Sequence, residues 1–434
     1  MARPIACTLV AGAIAGGVVI PGIAWGQANT LLLPSETANT LYDRGHNISV
    51  AERPRPEYDP LGIRLGSFVA TTQLSTSWAY SSNVFNDNTN RRADSLLILQ
   101  PYVGIYSDWK AHQAQLVATG DLRRYANTTI RNQNAWSLAP SGRLDISDAL
   151  KVRVEGQVER GYESPFSGDV IANLTVPSRF LHSSLATRAV YGVGRSRIST
   201  ALERNAYSFD DLVFADGTVR QQNYRDRVGY KGSLTYEYGF SPSVSLYARA
   251  EADRLRYSFL SFGQPNRDSN GYRLLGGANF DLAGVARGTI GIGYGVRNFD
   301  ASYLYQNLRG FSAEARGDWF PSELTTVSFQ LQRVLSDTEL TNVGAMWTNR
   351  AHVSVDHELL YNLILTGMVE AERRDYPQRQ LATNVYQGEI GARYQARRGL
   401  GFQAAIGYGS SRPARGLANS FDELRARVSV ILRR

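Results

Sequence analysis

Cysteine is nearly absent from this 434-residue chain, which has 1 Cys and 3 Met. A single cysteine excludes a disulfide scaffold and any metal site built from several thiolates. Beyond residue 26 no apolar run reaches the roughly eighteen residues that a transmembrane helix needs, which excludes a polytopic helical membrane protein. The chain does contain 24 Tyr, 16 Phe and 6 Trp in a composition that is 43% hydrophobic, which excludes a wholly disordered protein.

The first 26 residues have the features of an export signal. Arg3 precedes a long apolar stretch, Pro21 interrupts that stretch, and Ala24-Trp25-Gly26 places small residues where a signal peptidase selects its site. We therefore expect a signal peptide over residues 1–26, cleaved before Gln27. An uncleaved inner-membrane anchor is the alternative. Cys7 lies inside this segment with no cleavage site before it, so it is not a lipoprotein cysteine.

Residues 27–65 follow neither the helical nor the strand period. Their charged, proline-rich part runs from Arg53 to Arg64, where Pro54, Pro56 and Pro60 preclude a helix. We interpret residues 27–65 as a periplasmic N-terminal arm or a plug-like segment. A disordered linker is the alternative.

From residue 66 to residue 434 the chain alternates between apolar and polar residues, as strands with one apolar face do. Lys151–Gly161 is the clearest case, because Val152, Val154 and Val158 alternate with charged residues. The pattern predicts eighteen strands, at residues 67–82, 94–107, 111–126, 133–147, 149–162, 180–192, 195–208, 223–239, 242–258, 270–282, 285–299, 308–319, 323–336, 348–359, 361–375, 385–397, 400–410 and 421–432.

The predicted connections alternate between short turns and long polar loops. A soluble sandwich has no reason to place every long loop at one end, whereas a transmembrane barrel has tight periplasmic turns and long extracellular loops. Lipid offers no hydrogen-bonding partner, so such a sheet must close on itself. Residues 66–434 are therefore expected to form one all-β domain, a transmembrane antiparallel up-and-down β-barrel of about 18 strands (16–18). A secreted soluble β-protein is the alternative.

Two short stretches stand out where the barrel begins. The first is Arg53-Pro54-Arg55-Pro56-Glu57-Tyr58-Asp59-Pro60 with the residues up to Arg64, followed by Gly66-Ser67-Phe68, and the second is Ser82-Asn83-Val84-Phe85. These stretches resemble the start of proteins of the putative β-barrel porin 2 family. The resemblance implies an outer-membrane barrel of Gram-negative bacteria, with several relatives linked to exopolysaccharide or capsule production and secretion. It carries no catalytic residues over to this chain.

The inner faces of the strands carry the candidate site residues. A wide barrel can hydrate buried charges, which lowers the cost of placing them inside. We interpret them as the lining of a polar conduit. The alternative is a lumen whose charges pair for stability and which the arm or a long loop occludes. The predicted lumen-facing charges are Arg153, Glu155, Glu159, Glu203, Arg227, Lys231, Glu237, Arg249, Glu251, Asp253, Glu314, Arg316, Asp318, Glu370, Glu372, Glu389 and Arg393.

The long loop Ser164–Arg179 is apolar enough to fold inward as a constriction. Its apolar side chains are Phe166, Ile171, Leu174 and Val176. The alternative is a surface loop that contacts lipopolysaccharide or neighbouring molecules.

Little in the sequence indicates an enzyme. His352 and His357 are five apart on one strand and face opposite sides, so they cannot share a metal ion. Ser354 follows His352 on the same face, which allows at best the nucleophile and base of an outer-membrane lipid hydrolase. The glycines of Gly291–Gly295 precede no helix and form no phosphate loop. We expect no catalysis, no cofactor and no metal.

The leading prediction is a porin-like pore or conduit in the outer membrane, and the family resemblance implies exopolysaccharide or capsule export as its role. The alternative is a closed barrel that scaffolds an envelope or polysaccharide assembly through its arm, and a lipid enzyme comes third. Expected partners are outer-membrane lipid and lipopolysaccharide, exopolysaccharide, periplasmic secretion components and the barrel-assembly machinery. Nucleic acid is not expected, because Arg and Glu interleave on the inner faces without a basic cluster.

Overall fold

The computed structural model describes residues 47–167, 174, 176–214, 217–260, 265–338, 340, 342–414 and 420–434. The predicted signal peptide and residues 27–46 of the predicted arm lie outside the described residues. No helix in these described ranges has the length and hydropathy of a membrane-spanning helix.

Antiparallel strands make up most of the described chain, because the alternating sequence gives each segment one apolar and one polar face. Short 3-10 helices lie in the loops at Thr129–Arg131, Pro165–Ser167, Asn223–Arg225 and Pro377–Arg379. The strands are β1 (Ile63–Leu65), β2 (Phe68–Ser81), β3 (Asp94–Ser107), β4 (Gln113–Tyr125), β5 (Gln133–Asp145), β6 (Leu150–Tyr162), β7 (Arg179–Val193), β8 (Ser196–Phe209), β9 (Leu212–Val213), β10 (Val219–Arg220), β11 (Arg227–Gly239), β12 (Val244–Tyr257), β13 (Ser269–Leu282), β14 (Ala286–Phe299), β15 (Leu308–Ser322), β16 (Thr325–Asp337), β17 (Ala345–Leu360), β18 (Leu363–Tyr376), β19 (Leu381–Arg397), β20 (Leu400–Pro413) and β21 (Phe421–Arg433).

Eighteen of these strands close into one barrel in sequence order. Each long strand pairs antiparallel with the one before and the one after it, and β2 pairs with β21 from Gln73↔Arg433 to Ser81↔Arg425. This last pairing joins the two ends of the sheet, so no long edge is left open to lipid. β8 pairs directly with β11, and the β9–β10 hairpin belongs to the loop between them. The predicted eighteen-strand up-and-down barrel is confirmed.

The predicted strand limits differ from the observed ones at a few places. The strand predicted from residue 223 begins at Arg227, because Asn223–Arg225 turn into a 3-10 helix. The strand predicted from residue 385 begins earlier, at Leu381. β1, β9 and β10 were not predicted, since two or three residues are too few to show a period.

The outer surface of the barrel is apolar and the inner surface polar, as the alternation requires. On β12, Leu246 is exposed whereas Ser245 and Tyr247 beside it are buried. Exposed aromatic side chains form a girdle near each end of the outer surface, where interfacial rings are favoured. Toward the long loops these include Trp78, Tyr230, Tyr272, Tyr294, Phe311, Tyr386 and Tyr408, and toward the short turns they include Trp109, Tyr191, Tyr238, Phe240, Trp319 and Tyr361.

The β16–β17 hairpin leaves the barrel wall near its long-loop end. Pairing between β15 and β16 runs from the short turn only as far as Ala313↔Arg333. Beyond that point Leu335 and Trp347 pack with Phe299 in a buried apolar cluster. The tip of the hairpin thereby reaches over the extracellular mouth.

Candidate pore and its two closures

A network of ion pairs covers the inner wall from β11 to β15. Lys231 and Arg273 both contact the carboxylate of Glu251, at 3.2 and 2.8 Å. Arg249 pairs with Glu314 at 2.9 Å, and Arg273 lies 3.8 Å from the same carboxylate. Each charge in this group has an opposite charge in reach, which offsets much of the cost of burying it.

Two glycines allow a tyrosine to join this network. The ring of Tyr247 on β12 passes over Gly277 and Gly291, where a Cβ atom would collide with it. Its hydroxyl then donates to Glu314 on β15 at 3.0 Å. Because these two positions on β13 and β14 have no side chains, Tyr247 can cross both strands. It thereby connects β12 with β15, which are not neighbours in the sheet.

Further ion pairs lie on other parts of the same wall. On β17 and β18, Arg350 pairs with Glu372, and His352 lies 3.4 Å from Glu370. On β6, Arg153 pairs with Glu155 at 3.2 Å, and Arg188 of β7 lies 3.6 Å from the same carboxylate. The wall is therefore polar, and opposite charges pair on several separate parts of it.

Most of the remaining predicted charges contact a hydrogen-bonding or charged partner. The others are placed on the inner face by the strand register. Their role in passage stays a prediction. Glu159 contacts His182, Glu203 accepts from Asn205, Arg227 pairs with Asp337, Glu237 accepts from Ser245, Asp253 pairs with Arg297, Asp318 pairs with Arg287, and Arg316, Glu389 and Arg393 stand opposite Gln330, Gly407 and Gln403.

Several of the partners were missed by the sequence reasoning. Arg273, Arg297 and Arg350 share the inner face with residues that were predicted, so counting every second position along each strand would have found them. Asp337 was missed for another reason: it lies one residue past the predicted end of its strand, in the hairpin that bends over the mouth.

The arm lies along the inner rim at the short-turn end of the barrel. Asn47 contacts the β13–β14 turn, where its amide donates to Asp281 at 2.6 Å and its carbonyl oxygen accepts from the backbone N–H of Gly284 at 2.8 Å. The backbone N–H of Val50 donates to Thr326 of β16 at 3.0 Å, and Val50 is fully buried. The described part of the arm thus starts at the inward-facing ends of β13 to β16.

The arm motif continues around the same rim. Arg55 is buried, and its guanidinium donates to Glu358 at 2.8 Å and to the backbone oxygen of Tyr361 at 2.9 Å. Arg398, in the next turn, donates to the backbone oxygen of Pro56. β1 then adds to the start of β2. The described arm therefore contacts four successive short turns before the barrel begins.

Glu52 gives the arm a second ionic attachment. It pairs with Arg287 of β14 at 2.5 Å and accepts a hydrogen bond from the hydroxyl of Ser49 at 2.9 Å. Burial works against ionisation of Glu52, but the hydrogen bond and the positive charge of Arg287 outweigh it and lower the pKa of this carboxyl below its ordinary value. Glu52 is therefore charged at neutral pH and holds the arm against β14.

At the opposite end of the barrel, the loop after β6 folds into the extracellular mouth. The loop after β6 carries Phe166 across the lumen, where its ring packs with Val385 of β19 and Phe421 of β21 in a buried cluster. Arg374 of β18 donates to the backbone oxygen of Phe166 at 3.1 Å. The prediction that this loop folds inward is confirmed for Phe166, whereas Ile171 lies outside the described residues.

The loop after β8 is fastened to the loop after β6. Arg225 forms a buried ion pair with Glu163, and Gln222 donates to the hydroxyl of Ser178 at 3.2 Å. Next to it, Arg227 of β11 reaches Asp337 of the β16–β17 hairpin at 2.9 Å. Loops from several sides of the barrel thus meet over the extracellular mouth.

The description "Putative beta-barrel porin 2" belongs to a family model that matches residues 55–434. The chain belongs to this family. The match begins at Arg55, in the middle of the arm motif, and runs through the whole barrel. The porin 2 chain is therefore a porin-like outer-membrane β-barrel protein, and its place is the Gram-negative outer membrane.

Comparison of the porin 2 chain with solved structures finds matches at low sequence identity. OpdK from Pseudomonas aeruginosa is 12% identical with a TM-score of 0.43, over 84% of this chain and 99% of that one. A BenF-like porin from Pseudomonas fluorescens Pf-5 is 12% identical with a TM-score of 0.45, over 85% and 100%. OccAB4 from Acinetobacter baumannii is 10% identical with a TM-score of 0.44, over 88% and 100%. No curated protein matches the chain.

The two histidines that were weighed for chemistry have separate partners in the porin 2 chain. His352 contacts Glu370, whereas His357 contacts Thr325 at 3.0 Å. Within the described ranges no hydrogen bond joins Ser354 to His352, and no group of three His, Cys, Asp or Glu side chains could hold a metal ion. The polar wall, the arm along the short-turn rim and the loops at the extracellular mouth are therefore the features from which a function can be argued.

Proposed function

We propose that this porin 2 protein is a conduit across the outer membrane that the arm closes at rest and that the extracellular loops narrow. The observation that carries the proposal is the position of the arm. Residues 47–62 contact the wall only through side chains and turns, for example Arg55 with Glu358, and do not enter the closed ladder of barrel strands. A segment held in this way can leave the rim while the barrel stays intact.

The cargo that we propose is a polysaccharide moving out of the periplasm. The family resemblance supports this cargo through the relatives linked to exopolysaccharide or capsule secretion. The wall supports it chemically, because amide side chains such as Gln100, Gln330 and Gln403 stand among the ion pairs. Amides and carboxylates both exchange hydrogen bonds with sugar hydroxyls.

The export route of the chain itself is part of the same proposal. We propose that residues 1–26 are removed as a signal peptide and that the barrel-assembly machinery inserts the mature chain. The arm then faces the periplasm, where secretion components can engage it. Mass spectrometry of the N-terminus of the membrane-extracted protein tests the cleavage: a chain that begins at Gln27 supports it, and one that begins at Met1 contradicts it.

Planar-bilayer recording tests the conduit. The mature chain, residues 27–434, is compared with a variant that lacks residues 27–62 and keeps β1. We expect rare or small openings in the mature chain and steady conductance in the variant, with interruptions of the current when a capsular oligosaccharide is added. Silence in both proteins would exclude an open conduit.

A closed structural barrel is the second candidate, and the loops that meet over the extracellular mouth favour it. In that case the arm is a docking site for a periplasmic partner and the paired charges of the wall serve stability alone. Crosslinking in intact cells separates the two cases. A partner that is captured through the arm motif Arg53–Arg64, together with silence in the bilayer, would favour the scaffold.

We propose no enzymatic role for the porin 2 chain. A lipid hydrolase built on Ser354 would need its hydroxyl beside a base, and His352 turns to Glu370 instead. Assay of the purified barrel on phospholipid vesicles tests this: fatty-acid release that is lost in the Ser354→Ala variant would overturn the assignment.

A further inference from the structure

The lipid-facing surface has a groove between β14 and β19. Its volume is about 600 Å³, which is within the range of sites that bind small molecules, about 300–1,000 Å³. Four alanines on neighbouring strands make it concave: Ala313, Ala315, Ala351 and Ala371. Its sides are formed by bulkier apolar residues, which are Ile290 and Ile292 on one side and Tyr386 on the other.

The strand register shows that the groove has an apolar floor and a polar edge on its extracellular side. Each is a row of outward-facing residues that are paired from strand to strand, and the two rows lie two residues apart along each strand. The apolar row is Ile290, Ala315, Leu331, Ala351, Ala371 and Tyr386. The row one step nearer the extracellular loops is Ile292, Ala313, Arg333, Asn349, Arg373 and Asn384.

The polar edge is unusual for a surface that faces lipid, because charged side chains there are costly unless they find a partner. Arg333 donates to Asn349, whose amide donates to Asp375 at 3.0 Å, and Arg373 pairs with Asp375 at 2.7 Å. Asp375 pairs with Arg373 alone, and Arg333 is linked to it only through Asn349, so the edge carries two positive charges and one negative charge. Arg373 remains 59% exposed.

We propose that this groove binds a phosphorylated lipid of the outer leaflet. The phosphate contacts Arg333 and Arg373, and an acyl chain lies over the alanines toward the membrane centre. Arginine forms paired hydrogen bonds with phosphate oxygens, and the position at the extracellular edge of the membrane is where lipid phosphates lie. The charge at the edge and the apolar floor below it match the two parts of such a lipid.

Native mass spectrometry of the mature chain in detergent tests the site, with bisphosphorylated lipid A as the probe. We expect bound lipid A in the wild-type spectrum and roughly tenfold weaker binding in the double variant Arg333→Gln, Arg373→Gln, because charge-assisted hydrogen bonds are lost. Arg204→Gln is the matched control, since Arg204 is an exposed arginine on the outer face of β8, near the same membrane level. It should leave binding unchanged.

A second variant tests the groove without touching charge. Ala351→Phe fills the floor, and we expect it to weaken lipid A binding as well, whereas Ala248→Phe on the exposed outer face of β12 should have no effect. Dephosphorylated lipid A should bind the wild type as weakly as phosphorylated lipid A binds the double arginine variant.

Two outcomes would overturn the proposal. Equal binding of lipid A to the wild type and to both groove variants would show that the lipid binds elsewhere or without selection. Dimers or trimers of the wild type that dissociate in the Ala351→Phe variant, with lipid A binding absent throughout, would show that a second copy of the chain occupies the groove.

Discussion

Arg55 of the arm and Glu358 of β17 form an ion pair at 2.8 Å whose side chains are only 5% and 7% exposed. The two residues are far apart in sequence, and the pair joins a segment outside the barrel to the inner face of its wall. Arg53 contacts the same carboxylate at 3.1 Å. Glu358 therefore receives two arginines of the arm motif and is the point where the arm is held most firmly.

Replacing Glu358 should release the arm. In Glu358→Gln the buried Arg55 loses its counter-charge, which typically costs about 3–5 kcal/mol. We expect a nonspecific protease to cleave within residues 47–62 of the folded barrel much faster than in the wild type. Arg64→Ala is the control, because the Arg64–Asp108 pair is exposed and such pairs contribute only about 0–1 kcal/mol. Equal cleavage rates in all three proteins would contradict the role given to Glu358.

Acid should loosen the arm through Glu52. The pKa of Glu52 is lower in the folded protein than in the unfolded chain, so its contribution is complete above the unfolded pKa, about 4.3. The contribution is lost as the pH falls through the lower, folded pKa. Protease sensitivity of the arm should therefore rise below about pH 4. Glu52→Gln should be sensitive already at neutral pH and should vary less with acid, and an unchanged acid response in this variant would assign the effect to other groups.

Phe166 should hold the extracellular loop over the lumen. Replacing a buried phenylalanine by alanine usually lowers stability by about 3–5 kcal/mol. Here the substitution removes the packing of the loop against Val385 and Phe421. We expect Phe166→Ala to increase single-channel conductance of the arm-deleted barrel. Tyr303→Ala is the control, because Tyr303 is 82% exposed in a different loop. Conductance that is the same in both variants would place the constriction elsewhere.

Glu314 should influence ion selectivity if the lumen conducts. In Glu314→Gln, Arg249 and Arg273 face the lumen with less negative charge nearby. An uncompensated charge in a hydrated lumen changes the energy of a passing ion by about 1 kcal/mol. The ratio of anion to cation permeability should therefore rise roughly fivefold. Reversal potentials in a salt gradient measure the shift. Asp108→Asn, at an exposed periplasmic turn, should leave the ratio unchanged, and a shift toward cations in Glu314→Gln would contradict the assignment.

The barrel could be predicted from the sequence because its period-two pattern covers almost every strand. Val152, Val154 and Val158 show it on β6, and β6 spans Leu150–Tyr162, close to the predicted 149–162. The pattern did not predict short elements. Asn223–Arg225 form a 3-10 helix, and β1 has too few residues to show a period.

The closures could not be predicted in the same way. The arm has no period, so its path along the inner rim depends on tertiary contacts such as that of Val50 with Thr326. Phe166 was identifiable as one of the apolar residues of the loop Ser164–Arg179, but the strands that it contacts were not identifiable. The inward bend of β16–β17 depends on the place where pairing with β15 stops, which the alternation of side chains does not encode.

Single-channel recording of the mature chain beside the Glu358→Gln variant tests the central claim most directly. If the arm closes a conduit, the wild type should open rarely and the variant should conduct for long periods, because only the attachment of the arm differs. If both remain silent at all voltages while the protein is folded in the bilayer, the barrel is closed by its own wall and loops, and the account of an arm-gated conduit is wrong.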